Sequence, residues 1–584
     1  MADQHQHQHQ HQPAEDDAVS QTIDQRLRAL YPPGAIYMAR AETLNTLSER
    51  RIRAASGAIR MKLDWITKMH DQTIRDRWTA EAIAQGLTEK ELAYLFDELQ
   101  YYATLHVPGS NIFMSSVDRV WYSDQLIDGE TAQKLRAHAA EMEAAPDKDW
   151  HPRSNDQVLN LIHPSLFPLD YRKTPFVETP IKTPAAALEM QTFGRFPGSI
   201  SAWKKAVEAV YGDQTAPGGR GYYVPQSTDR VASERFCWLP TEFDVAPDGA
   251  VEVASYINSL HPAKHAAVYP TIATIFGQFV PVLEQVVTDM VHRRQPRVVP
   301  DPFNWFDNSD EPQDVNREQY DEEYDLWSES RPFIEPQPEP FTTPDRPTTP
   351  YSLKGRRLQA IVKMSSIMLT PDNPVYKGGA WHVEALANER IIATGIYYYD
   401  VENVTENELD FREPVDEEID YEQSDQRGLD LAYGMFTRSR EEGEDDEFEI
   451  PISQEIGGVR SKQGRCLVFP NVYQHRVSGF ELADKTKPGH RKILAFFFID
   501  PSTRVPSTEI VPPQQQDWWA ESAMTAGPLA DLPLVVGREV LKNVDFPVSL
   551  DAAKKLRLEL MDERSAQNPS INEYFRPDFN FCEH

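Results

Sequence analysis

The segment Trp381-His382-Val383-Glu384, followed after a short turn by the apolar run RIIATGIYYYD, constrains this chain more than any other stretch. Side chains on a strand alternate between faces, so a His and a carboxylate two apart point the same way. One further His from elsewhere completes a two-histidine, one-carboxylate facial triad. Such a triad holds Fe(II) through three ligands and leaves positions open for oxygen and substrate. His475, in GRCLVFPNVYQHRVSGF, is the candidate third ligand, and Arg491, farther on, heads the apolar run RKILAFFFID. Zn or Ni suit the same donors, because affinity order does not favour Fe(II).

The order His-x-acid, then a distant His, then an Arg entering a strand resembles the 2-oxoglutarate/Fe(II) oxygenases, most closely their prolyl-hydroxylase-like branch. The resemblance implies an α+β fold around a double-stranded β-helix (a jelly-roll, cupin-like core). Iron would sit at its open end on His382, Glu384 and His475, chelated by 2-oxoglutarate. It also implies that Arg491 binds the far carboxylate of the cosubstrate, which suits a guanidinium: it pairs with carboxylate bidentately and stays charged when buried. Tyr398, by its place in the IYYY run, matches the tyrosine that related hydroxylases turn toward that carboxylate; a core tyrosine is the competing reading. Two departures stand out. Glu384 occupies a position where Asp is commoner, and the intervals from Glu384 to His475 and from His475 to Arg491 are long, as insertions into loops would make them.

A second resemblance covers more of the chain. NLIHPSLFPLDYRKT, CWLPTEFDV, VASYINSLHP, GGAWHVEALANERIIATGIYYYDVEN, FPNVYQHRV and GHRKILAFFFIDP together resemble a large fungal family labelled domain of unknown function 4246, from about residue 155 to 565. That resemblance implies the same fold and iron site and names no substrate.

At 584 residues the chain exceeds one ordinary domain, and 40% hydrophobic with 10% aromatic residues supplies a sizeable core. No run of roughly 18 or more apolar residues is present, so no transmembrane helix is expected. The N-terminus lacks the charged and apolar regions of a secretory signal. Cys237, Cys466 and Cys582 are too scattered for a disulfide framework or a zinc motif. These features fit a reducing, intracellular compartment, cytoplasmic rather than nuclear. A net charge of −32 argues against a general grip on nucleic acid, which needs basic surface. It serves solubility, or steers a cationic partner.

Along the chain, residues 1–40 read as a disordered tail in which His5, His7, His9 and His11 alternate with Gln. Residues 41–235 read as a helical, then proline-rich region packed on the core. TLNTLSERRIRAASGAIRMKLDWITKM has helical spacing, Thr88 with Glu91 makes a capping box, and a helix begins after Gly129. Residues 236–512 form the expected oxygenase core, with acidic insertions near 300–350 and 402–450 and a short helix in LDLAYGMF. There VEVASYINSLHP reads as a strand and AKHAAVYPTIATIFGQFVPVLEQVVTDMVHRR as a long helix bent near Pro281. The aromatics of the first insertion, among them Trp305 and Phe306, are expected to pin it on the barrel, and residues 513–584 read as helical again.

The function expected from all this is a 2-oxoglutarate-dependent Fe(II) dioxygenase. It would use O2 to hydroxylate an unactivated C–H bond of a small molecule or protein side chain, releasing succinate and CO2. An iron oxidase that uses the triad without 2-oxoglutarate is one alternative. A non-catalytic scaffold with a relict metal site is another. Asn258 and His261, at the end of the expected strand, and Trp381, beside the first ligand, are candidate residues of the substrate cleft; a satisfied turn and core packing are their other readings.

Overall fold

The structure is a computed structural model that describes residues 25–27, 42–189, 196–211, 232–292, 295–312, 317–384, 386–416, 418–422, 425–435, 449–520 and 531–580. The His/Gln tract, residues 436–448 of the second acidic insertion and Cys582 lie outside the described residues.

Two antiparallel sheets organise the fold. Their strands are β1 (Phe113–Met114), β2 (Trp121–Ser123), β3 (Asp149–Trp150), β4 (Val158–Ile162), β5 (Thr241–Val245), β6 (Val251–Val253), β7 (Arg357–Leu369), β8 (Ile391–Glu402), β9 (Glu408–Glu413), β10 (Gln454–Arg460), β11 (Cys466–Pro470), β12 (Gln474–Val477) and β13 (Gly489–Ile499). The large sheet runs β1-β2-β11-β8-β13-β7-β4-β3, with β5 also on the edge of β7 and β6 on β5; the small sheet runs β10-β9-β12. The apolar runs that dominate the sequence, β8 and β13, pair along nearly their whole lengths at the centre of the large sheet. The fold is therefore mixed α+β around a large antiparallel sheet. The N-terminal region does more than pack against the core, because β1 to β4 extend the large sheet at both edges.

The helices used below are α1 (Leu47–Arg60), α2 (Glu89–Thr104), α3 (Gly129–Glu143), α4 (Val268–Val291), α5 (Gln426–Tyr433) and α6 (Leu550–Phe575). Thr88 and Glu91 form the capping box at the start of α2: the Thr88 hydroxyl accepts from Glu91 N at 3.3 Å and the Glu91 carboxylate accepts from Thr88 N at 2.8 Å. The helix expected over residues 43–69 is broken after Arg60, where Asp64 takes φ 55° before a separate turn of helix.

Helix α4 covers the outer face of the large sheet. Phe276 stacks on Phe243 at 4.0 Å between ring centroids, and Phe276 and Phe279 meet Phe496 edge-on at 5.3 and 5.5 Å. Gly395 makes this approach possible, since a Cβ there would sit 2.8 Å from the Phe279 ring. Among the described residues α4 is the one helix long and apolar enough to cross a membrane, and 78% of its apolar window is buried inside the molecule. That is the signature of a core helix.

Two expectations are corrected here. VEVASYINSLHP is a strand only over Val251–Val253; Ser255 then turns inward, its hydroxyl accepting from Glu242 N at 2.9 Å, and the chain leaves the ladder. The first acidic insertion is pinned, but against the second insertion. Trp305 is 1% exposed in a cluster with Leu429 and Tyr433 of α5, and its indole donates to Asp425 at 2.8 Å.

Candidate metal centre

His382, Glu384 and His475 come together although His475 lies far along the chain: their ligand atoms all fall within 4.8 Å of one another. Backbone pairing accounts for this. His382 N donates to His475 O at 3.1 Å and His475 N to His382 O at 2.9 Å, an isolated antiparallel bridge that adds His382 to the edge of β12. The segment is otherwise irregular. Gly378, at φ +95°, lets it turn tightly under β12, where a Cβ would meet Val477 O at 2.8 Å. On the far side of β12, His475 pairs with Phe411 of β9, and its ring rests on Phe469 of β11 at 4.8 Å, so both sheets wall it in.

The three donors are arranged for a cation. Glu384 Oε1 lies 3.4 Å from His475 Nε2 and 3.8 Å from His382 Nε2. Atoms each roughly 2 Å from one ion are roughly 3–4 Å apart, so the spacing fits. His382 Nδ1 donates to Ala380 O at 2.9 Å, which leaves Nε2 with its lone pair facing the other two ligands. Burial opposes ionisation of Glu384, but a hydrogen bond from His475 and the charges of His382, His475 and Lys363 outweigh it and hold the carboxyl at about 2. The protein packed around the ring, and then His475, lower the pKa of His382, which favours a neutral imidazole at neutral pH. Glu384 is 9% exposed and His475 3%, whereas the His382 side chain is 43% exposed and forms the open side.

Arg491 lies on β13, 3% exposed, with its guanidinium 5.6 Å from the centre of the Tyr398 ring and 5.2 Å from that of Phe480. Its Nη1 donates to Asn407 Oδ1 at 2.8 Å and to Ser461 Oγ at 3.4 Å, while its buried Nε has no partner. Among the described residues no carboxylate pairs with it. Tyr398 is 1% exposed and shares the inner face of the large sheet with Arg491. Two guanidinium groups approach the Trp381 ring, Arg412 at 4.9 Å and Arg476 at 4.4 Å.

Asn258 and His261 are used elsewhere. Asn258 Nδ2 donates to Leu166 O and Phe167 O at 3.2 and 3.0 Å, and its Oδ1 accepts from Gln515. His261 Nδ1 accepts from the Ala263 and Lys264 amides at 3.1 and 3.2 Å, and the ring packs on Trp518. These contacts fix a turn, which agrees with the satisfied-turn reading of both residues.

Sequence reasoning missed three residues. Asn471 binds both the N–H and the C=O of Glu384. Asn407 meets Arg491. Lys363 interrupts the apolar run of β7 on the face that carries Arg491. That interruption was the one signal visible in the sequence.

No curated protein matches this chain. Three solved structures with low similarity are a selenomethionine-labelled Fe(II)/(alpha)ketoglutarate-dependent dioxygenase TqaL (10% identity, 65% of this chain and 96% of that one, TM-score 0.21), IDO from Bacillus thuringiensis (11%, 25% and 46%, TM-score 0.15) and a bsmA homolog from Methylobium petroleophilum PM1 (10%, 26% and 44%, TM-score 0.15). The chain spans less than half the length of the two bacterial structures, 46% and 44%. At such TM-scores these likenesses carry no argument. The family match is of another order: residues 89–522, well over half of the chain, match the family described as Protein of unknown function (DUF4246), and the chain belongs to that family.

Proposed function

We propose that the chain is a 2-oxoglutarate-dependent Fe(II) dioxygenase that hydroxylates an unactivated C–H bond. The observation that carries this reading is the cluster of His382, Glu384 and His475 in one cation-sized space, oriented by Ala380 O. The donor set of two imidazoles and one carboxylate is that of non-heme Fe(II) oxygenases. A double-stranded β-helix is supported by the strand order. β11-β8-β13-β7 lies in one sheet and β10-β9-β12 with the His382 bridge in the other, and the two meet through Phe411 and Phe469 at 5.0 Å.

Held by His382, Glu384 and His475, Fe(II) would supply, with 2-oxoglutarate and O2, the chemistry for hydroxylating a nearby C–H, with release of succinate and CO2. The protein's part is positioning. His382, Glu384 and His475 would hold the metal, and the site is open to solvent on the half-exposed His382 side. Arg491 offers an uncompensated guanidinium with a free Nε–H, the group needed to fix a buried carboxylate. Burying such a charge without a counter-ion is expensive, so an anion is the partner that this position calls for. Tyr398 walls the same space.

The test is anaerobic titration of the metal-free protein with Fe(II) and then 2-oxoglutarate, followed by the visible metal-to-ligand charge-transfer band. A band that grows with 2-oxoglutarate and vanishes in His475→Ala supports the reading. Iron binding without the band would favour an oxidase independent of 2-oxoglutarate, and no iron binding would sink the metal centre.

A further inference from the structure

The inner face of the small sheet continues past the metal donors to a second site. His475 pairs with Phe411 across β12 and β9. Two residues before the one and two after the other come Tyr473 and Glu413, which therefore face the same way. At a strand rise of about 3.3 Å per residue they lie about 7 Å farther along. The Tyr473 ring, 6.4 Å from that of Phe411, agrees with this placement. Tyr473 and Glu413 wall a cavity of about 80 Å³, and none of the three metal donors lines it. Such a space holds roughly five to eight waters. Thr43, Gln295 and Pro296 are exposed at its rim, while Arg297 and Arg346 are buried in its wall.

Five carboxylate and four guanidinium side chains line the cavity, and most engage one another. Arg297 uses Nη1, Nε and Nη2 on Glu49, Glu98 and Asp118 at 3.1, 2.8 and 2.7 Å, and Arg346 holds Asp289. Two groups keep spare capacity. Arg119, its side chain 14% exposed, makes one hydrogen bond among the described residues, from Nη2 to Glu42 at 3.4 Å, so its Nε and Nη1 are unengaged. Glu413, 3% exposed, accepts from Arg53 and Gln454 at 2.9 and 2.6 Å, both at Oε1, and among the described residues nothing donates to its Oε2. Arg119 feels the charge of Glu413, yet no ion pair joins the two. Unmatched donors and acceptors held away from bulk water are costly. The cavity therefore calls for a guest that offers an acceptor to Arg119 and a donor to Glu413. The excess of one carboxylate in the lining disfavours a plain anion, and a plain cation leaves Arg119 unmatched. A molecule that carries both charges satisfies both groups.

We propose that this cavity binds a small zwitterionic amino acid, its carboxylate on Arg119 and its ammonium on Glu413 Oε2. A guanidinium suits the first contact because two parallel N–H groups meet the two carboxylate oxygens. The volume limits the guest to the smallest side chains. The site is distinct from the metal centre and does not depend on the dioxygenase reading. Tyr473 links the two, since it walls the cavity and leads directly into the strand that carries His475.

The test is calorimetric titration of the full chain, loaded with Zn(II) and saturating 2-oxoglutarate, with glycine, L-alanine, L-phenylalanine, acetate and methylammonium. Wild type is compared with Arg119→Gln, Glu413→Gln and His475→Ala. The expected result is saturable binding of glycine or L-alanine at least tenfold tighter than that of acetate, methylammonium or L-phenylalanine. Glu413→Gln keeps the oxygen that Arg53 and Gln454 use and replaces the other by an amide, so it should weaken the amino acid at least tenfold. Arg119→Gln should do the same, and His475→Ala should leave the affinity unchanged. Acetate as tight as glycine would make this an anion site, and methylammonium as tight would make it a cation site; either overturns the proposal. So would the absence of saturable amino-acid binding, which would leave a hydrated ion-pair network, or binding that survives both cavity substitutions. Binding lost in His475→Ala would place the amino acid on the metal and overturn it as well. The wild-type series decides the charge requirement by itself if a cavity variant fails to fold.

Discussion

Asn471 grips the peptide of Glu384 from both sides: its Oδ1 accepts from Glu384 N at 2.9 Å and its Nδ2 donates to Glu384 O at 3.1 Å. The same Nδ2 reaches Ile391 O at 3.2 Å, so one side chain ties the ligand segment to the start of β8. Because Glu is longer than Asp, its carboxylate reaches the metal only if the backbone beneath it is fixed. Asn471→Ala is therefore expected to weaken Zn(II) or Fe(II) binding by about 10–100-fold, the usual effect of removing a group that orients a ligand. Competition against a chromophoric chelator measures this, and an unchanged affinity would show that the clamp is dispensable.

Removing a donor has a larger effect. Glu384→Gln keeps the shape but discards the charge and the basic oxygen, and is expected to bring metal binding below detection while the far-UV circular dichroism remains that of the parent. Retention of a full equivalent of tightly bound metal would count against Glu384 as a ligand.

Arg491→Gln should raise the 2-oxoglutarate concentration at half-saturation of the charge-transfer band at least tenfold, or about 1.4 kcal/mol. Arg491→Lys should recover only part of this, because an ammonium lacks the planar fork. Equal half-saturation in all three proteins would remove Arg491 from the cosubstrate site.

Stability should fall in mild acid. Burial pushes His163 well below its ordinary value, and burial with Lys363 pushes His151 down to about 4. An unfolded histidine titrates near 6.5, so below that pH the unfolded chain takes up protons that the folded chain refuses. The contribution is fully present above the unfolded value and is lost as pH falls through it. For His163 the slope approaches about 1.4 kcal/mol per pH unit. Urea unfolding at pH 7.5 and 5.5, in buffers chosen for those values, should show a smaller loss in His163→Asn than in the parent. Parallel losses would place the acid sensitivity elsewhere.

Gly395→Ala puts a methyl group 2.8 Å from the Phe279 ring and 2.9 Å from that of Phe498. Overpacking of this kind typically costs about 1–3 kcal/mol. A drop in the urea midpoint with an unchanged slope is the expected reading, and no drop would mean that α4 shifts freely on the sheet.

What was legible in the sequence was local or strictly periodic. β8 and β13 read as strands because long apolar runs need burial on both faces, and the capping box of α2 needs only Thr88 and Glu91. The grouping of His382, Glu384 and His475 followed from residue types in a known order. The supporting shell did not, because Asn471, Asn407 and Lys363 acquire meaning only through the register of other strands. VASYINSLHP misled for the opposite reason: Ser255, Tyr256 and Ile257 are all buried, and what resembled a strand continuing outward is a turn held by side-chain hydrogen bonds. Trp305 was rightly expected to be pinned, but its partner, α5, lies in a different insertion more than a hundred residues away, beyond the reach of local pattern.

The dependence of Gln474 on Asn572 also sets a timetable for biosynthesis. Chains fold from the N-terminus as they are made, and α6 leaves the ribosome after all three metal donors. Until α6 docks, Gln474 and Arg412 lack their contact with Asn572, and Asp149 waits for Arg557. A nascent chain can thus bring the donor residues together before the opposite face of the small sheet, where Gln474 and Arg412 point, is covered. Completion of this buried polar network becomes one of the last events in assembly.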